Sequence, residues 1–99
     1  MALSQLIKES NMKALQELKA EVINVESHQE FHKKIKFPNG YGASIVRGPY
    51  TYGGPDGLYE LAVLDTEGKL TYDTPVTGDV EGYLTEDNVM SLLKDISEL

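Results

Sequence analysis

The sequence predicts an α+β fold: an N-terminal helix, a four-stranded antiparallel meander, and a C-terminal helix packed on one face of the sheet. Three observations carry this. Apolar residues recur at helical spacing at both ends of the chain, they alternate with polar ones in the middle, and Gly, Asn, Asp and Pro separate the alternating runs. Strands joined by short turns pair antiparallel and leave one face for the helices to cover.

The first helical segment is expected over residues 1–27. Leu3, Ile7, Ala14, Leu15, Leu18, Val22 and Val25 fall on one stripe at 3.6 residues per turn, and Ser10-Asn11 is its weak point. Leu15, Leu18, Val22 and Val25 also fit a short coiled-coil seam, so a homo-oligomer through this helix is a second use of the stripe; packing on the sheet is the expected one. The first strand follows, with Phe31, Ile35 and Phe37 on one parity and His32, Lys34 and Lys36 on the other; Lys33 breaks the pattern. Asn39-Gly40 is a hairpin signal, and Tyr41 to Val46 returns as the second strand. Leu58 to Leu64 reads as a central strand, and Asp65 to Gly68 as a turn into a fourth strand over Lys69 to Tyr72. Asp73 to Leu84 reads as irregular. A helix over 85–99 follows, with Thr85 as N-cap, acids in the first turn, and Val89, Leu92, Leu93 and Ile96 on one face.

With 99 residues the chain is expected to form one domain, 1–99, whose small core leaves little wall for a deep cavity and so favours function on the outer surface. There is no cysteine, which excludes thiolate metal sites and cysteine nucleophiles. No apolar run is long enough for a membrane span, and the start, MALSQLIKES, lacks the pattern of a secretion signal; a cytoplasmic protein is expected.

Net charge is −7, and it is unevenly distributed. Residues 1–47 carry seven basic and five acidic groups; residues 48–99 carry two basic and eleven acidic. The second half would repel a nucleic-acid backbone, so no direct nucleic-acid binding is expected; it could attract a protein that binds nucleic acid. The competing explanation is ordinary solubility charge.

No catalytic pattern is complete. Ser44 with a histidine and an acid is formally available, but Ser44 sits mid-strand rather than on a sharp turn. His28 and His32 straddle the exit from the first helix, which spoils their metal-ligand spacing. No catalytic residue, metal or cofactor is assigned. The distinctive feature is Arg47 to Gly57, with four Gly, two Pro and two Tyr. Tyrosine offers wide contact area with few rotors to freeze, so Tyr50 and Tyr52 on this loop read as a presented binding surface. Tyr59 and Tyr72 read as strand residues covering the sheet. Asp56, Asp73, Asp79 and Glu81 complete the expected partner-binding set; turn-making and solvation are the alternative roles of these acids.

Five stretches, NGYGAS at 39–44, YGG at 52–54, GLYELAVL at 57–64, YDTPVT at 72–77 and DVEGYLT at 79–85, resemble a small family of phage and prophage proteins, mostly of unassigned function. The resemblance spans about half the chain, leaves out the first helix and transfers no residue role. It implies a phage origin, and with it a protein-binding inhibitor or modulator of a host protein, nucleic-acid-binding or defensive, in the host cytoplasm. The alternative is a small-molecule binding or sequestering protein whose Gly-rich loop closes over a ligand.

Overall fold

The computed structural model describes residues 8–99. It is α+β, with two α-helices and one five-stranded antiparallel sheet. In chain order the elements are α1 (Glu9–Glu17), β1 (Glu21–Asn24), β2 (Phe31–Lys36), β3 (Gly42–Arg47), a 3-10 turn (Gly54–Asp56), β4 (Tyr59–Leu64), β5 (Glu81–Leu84) and α2 (Glu86–Ser97). The sheet order is β1-β2-β3-β4-β5, a simple meander.

Three sequence expectations need correction. The N-terminal helix does not reach residue 27; its first seven residues lie outside the described part. Within that part, α1 ends at Glu17 in a Schellman motif: Lys19 N–H bonds Gln16 O at 2.9 Å and Ala20 N–H bonds Leu15 O at 3.0 Å. Lys19 takes the left-handed position (φ 59°) that glycine usually fills. The β-branched run after it then forms β1, so Val22 belongs to a strand and the proposed Leu15–Val25 seam is not a continuous helix face.

The second correction is the fourth strand. Lys69 to Tyr72 makes only an isolated bridge, Leu64 with Leu70, through Thr71 N–H to Val63 O at 3.0 Å and Asp65 N–H to Lys69 O at 2.7 Å. The third is its replacement. Glu81–Leu84, read as irregular, is the strand that pairs with the first half of β4. The sheet therefore has five strands, not four. The β4 turn is as expected: Asp65 accepts the Glu67 and Lys69 N–H groups, and these two bonds hold its carboxyl below the usual range, with the Lys69 bond the larger cause.

Both helices cover one sheet face. Leu15 of α1 and Val89, Leu93 and Ile96 of α2 meet Phe31, Ile35, Ile45, Leu61 and Val63 in the core. Phe31 and Tyr59 pack edge-to-face, with centroids 5.3 Å apart. Lys33 points to this face yet stays at its rim, lying 5.6 Å from the Phe31 ring centroid and donating to Asn24 Oδ1, which explains the break in the β2 alternation. The α2 N-terminus is a capping box: Thr85 Oγ1 accepts Asn88 N–H, and Asn88 Oδ1 accepts Thr85 N–H, both at 3.1 Å. At its other end Asn39, in the β2–β3 turn, donates its amide to Ile96 O at 2.8 Å.

The strand order spreads the charge division sideways. Lys33, Lys34 and Lys36 lie on β2; Glu60 and Glu81 lie on β4 and β5, with Asp56, Asp65, Glu67, Asp73 and Asp79 in the connections around them.

Candidate protein-docking site

The loop of residues 48–57 joins β3 to β4 and is braced from within and from below. Thr51 Oγ1 accepts Gly48 N–H and donates to Gly48 O, both at 3.0 Å, and Thr51 N–H also bonds Gly48 O. Gly54 N–H bonds Thr51 O, and Asp56 and Leu58 N–H both bond Gly53 O. At the base, Arg47 pairs with Glu30 at 2.6 Å, stacks 5.1 Å above the Tyr59 ring and donates to Gly57 O at 3.3 Å. Burial raises the Tyr59 phenol above its ordinary range, with the Arg47 charge opposing it.

Two bonds fasten the loop to the sheet. Glu60 Oε1 accepts Tyr52 N–H at 3.0 Å, and Tyr52 O accepts Tyr83 N–H at 3.1 Å. The second joins the loop to β5. There the two tyrosines pack reciprocally on glycines: a Cβ on Gly82 would lie 2.5 Å from Tyr52 Cβ, and a Cβ on Gly53 would lie 3.1 Å from Tyr83 Cδ1. Neither glycine can be enlarged without moving a tyrosine.

Tyr83 sits in a β-bulge. Tyr59 pairs with Leu84 and Leu61 with Glu81, so β5 carries one extra residue, and Tyr83 takes φ 55°. A bulky side chain in that conformation costs about 1–2 kcal/mol, and such strain concentrates at functional positions. Tyr83 was not among the expected site residues. Tyr83 is 62% exposed and lies against the Tyr52–Gly53 segment, with Tyr52 at 65%; Tyr50, on the same loop, is 95% exposed.

The expected partner-binding residues are therefore divided. Tyr50, Tyr52 and Asp56 share the braced loop, and Glu81 precedes the Gly82–Tyr83 seam in β5. Asp79 is exposed two residues before Glu81, with its carboxylate turned to Val80 N–H at 2.7 Å. Asp73 lies midway along the β4–β5 connection, its N–H bonded to Thr71 Oγ1. Tyr59 is buried as a sheet residue, whereas Tyr72 is exposed past the Leu64–Leu70 bridge.

Ser44 and His32 do meet. His32 Nε2 lies 3.4 Å from Ser44 Oγ, and Nδ1 lies 3.1 Å from Ser27 Oγ. A hydroxyl stands where a triad has a carboxylate, so nothing there stabilises an imidazolium, and burial and then Lys34 lower the His32 pKa. The trio is a neutral bridge between the β1–β2 connection, β2 and β3. Among the described residues no three His, Asp or Glu groups are placed to hold a metal ion. One groove of about 400 Å³ runs along the β1–β2 connection and reaches Glu30 at the base of the loop, and one of about 200 Å³ lies between Ile23, Lys34, Lys36, Leu64 and Asp65. No helix among the described residues is long and apolar enough to cross a membrane. Compared with protein-family models, curated proteins and solved structures, the chain matches none.

Proposed function

We propose that this chain works by docking on another protein, with the 48–57 loop as anchor and the acidic half steering it toward a basic surface. The observation that carries this reading is Tyr50, 95% exposed on a loop braced at its base, its middle and its contact with β5. A large aromatic ring held in water contributes nothing to this chain's own core. Aromatic side chains presented on a held backbone are what interfaces use as anchors, because little backbone entropy is lost when they bind.

The acids around β4 and β5 favour a basic partner surface and speed encounter with it. A groove that normally holds nucleic acid has that character. We take a host nucleic-acid-binding or defence protein as the partner and its inhibition as the consequence, a reading that rests on this charge and on the resemblance of the stretches at 39–44, 52–54, 57–64, 72–77 and 79–85 to phage and prophage proteins. The experiment is affinity capture from host lysate at low and high salt, with wild type and a variant carrying Asp73→Lys, Asp79→Lys and Glu81→Lys. A basic partner held by wild type, released by salt and missed by the variant supports the reading. Capture that ignores both salt and reversal removes its electrostatic half.

A second reading, binding of a small molecule, draws on the groove of about 200 Å³ beside Lys34 and Lys36. It is smaller than the several hundred Å³ common for ligand sites. It predicts a rise in melting temperature with a nucleotide or metabolite, and no loss of that rise on Tyr50→Ala.

A further inference from the structure

We propose that the Tyr52–Tyr83 seam is a receptor for an arginine side chain, whose guanidinium stacks on the two rings and pairs with the carboxylates of Glu60 and Glu81. This rests on the docking reading and names the group on the partner that the site takes. Four observations carry it.

The backbones of the two tyrosines are tied to each other, and the two residues are open to solvent. Tyr52 and Tyr83 are linked through Tyr83 N–H to Tyr52 O, each lies against the other's glycine neighbour, and each ring remains mostly exposed. The face of a tyrosine attracts a cation, and two exposed tyrosines are joined here through one backbone bond.

Carboxylates flank the seam. Glu60 Oε1 is bound to Tyr52 N–H, so this acid is positioned directly under the loop, and Oε2 takes no hydrogen bond among the described residues. Glu81 is exposed next to Gly82. The basic groups of this half of the chain are Lys69, paired with Glu67, and Lys94, on α2. Neither is placed on β5 to neutralise the seam.

The same trio of groups already occurs at the base of this loop. Arg47 lies 5.1 Å above the Tyr59 ring and 2.6 Å from the Glu30 carboxylate. The seam repeats the tyrosine and the acid of that arrangement without the arginine.

The chemistry selects guanidinium over ammonium. A planar, delocalised and weakly hydrated cation can stack on a ring and bond a carboxylate at once, whereas an ammonium is a strongly hydrated point charge. A nucleobase could also stack, but its phosphates would meet the acids around β4 and β5.

The test titrates the full chain with three short peptides, glycine alternating with arginine, with lysine, and with uncharged citrulline, followed by the NMR signals of Tyr52 and Tyr83. The arginine peptide is expected to shift both residues and to bind about tenfold more tightly than the lysine peptide. Tyr83→Asn is expected to abolish that preference while leaving the weaker lysine binding in place. Equal affinity for arginine and lysine, a citrulline response equal to arginine, or no binding of any peptide would overturn the receptor. The comparison among peptides uses wild type, so it stands whether or not the variant folds. Loss of arginine preference alone leaves docking through Tyr50 intact; docking fails separately, when Tyr50→Ala leaves partner capture unchanged.

Discussion

Arg47 and Gly57, ten residues apart, close the tyrosine loop: the guanidinium Nη1 donates to the Gly57 carbonyl at 3.3 Å while its other nitrogens hold Glu30. Both ends of the loop thereby share one side chain, and that side chain is itself stacked on the buried Tyr59. Arg47→Met keeps much of the apolar stem and removes the hydrogen bonds and the stack. We expect a stability loss of about 1–3 kcal/mol and faster amide exchange at Gly54 and Leu58, measured by denaturation and by hydrogen exchange. Unchanged exchange at these amides would show that Arg47 is not the clasp.

How much of this was legible in the residues follows from which signals are local. Thr85 with the acids after it marks α2, and Asn39-Gly40 marks the β2–β3 hairpin, because caps and turns are written in adjacent residues. The end of α1 was not legible. Lys19 occupies a position where glycine would have announced the stop, and Val22 and Val25 happen to continue the helical stripe. β5 was hidden for a related reason. Gly82 and the bulge at Tyr83 erase the period-two alternation, and the strand exists only because β4 offers it an edge. The loop tyrosines were readable from their Gly and Pro surroundings. Tyr83 was not, since its partner Gly53 lies thirty residues away; the pairing of a tyrosine with a preceding glycine, GY at 82–83, was the available hint.

Gly82 should tolerate no side chain. An alanine Cβ would sit 2.5 Å from Tyr52 Cβ, well inside contact distance, and Tyr52 would have to leave the seam. Gly82→Ala is expected to weaken partner binding about tenfold or more, with the core signals of Leu61 and Val63 unmoved. A variant that binds as wild type would mean the Tyr52 position is immaterial.

Tyr83 should show opposed effects on stability and binding. Asparagine tolerates a positive φ better than tyrosine does, and the ring it replaces is largely exposed. Tyr83→Asn is expected to raise stability by about 1 kcal/mol while reducing partner affinity. If the variant is instead destabilised by a similar amount, the ring's packing on Gly53 outweighs the backbone strain.

His32 sets an acid-side slope. Its folded pKa is lowered from the ordinary 6.5, first by burial and then by Lys34. On acidification the unfolded chain therefore takes up the proton first. Stability falls as pH drops below about 6.5, and the loss is complete once pH passes below the folded pKa. Urea unfolding at neutral and mildly acidic pH should show wild type losing more stability than His32→Gln. Parallel curves would mean the histidine has the same proton affinity folded and unfolded.

The most direct test of the docking account is the affinity of the captured partner for Tyr50→Ala and Tyr52→Ala together, measured by calorimetry beside a thermal melt. Both rings are mostly exposed, so their removal should leave the melting temperature close to wild type. The account predicts a loss of at least about 2 kcal/mol in binding free energy, the size expected when interface anchors are truncated. An affinity within about twofold of wild type, at an unchanged melting temperature, would contradict it and place the binding surface elsewhere on the molecule.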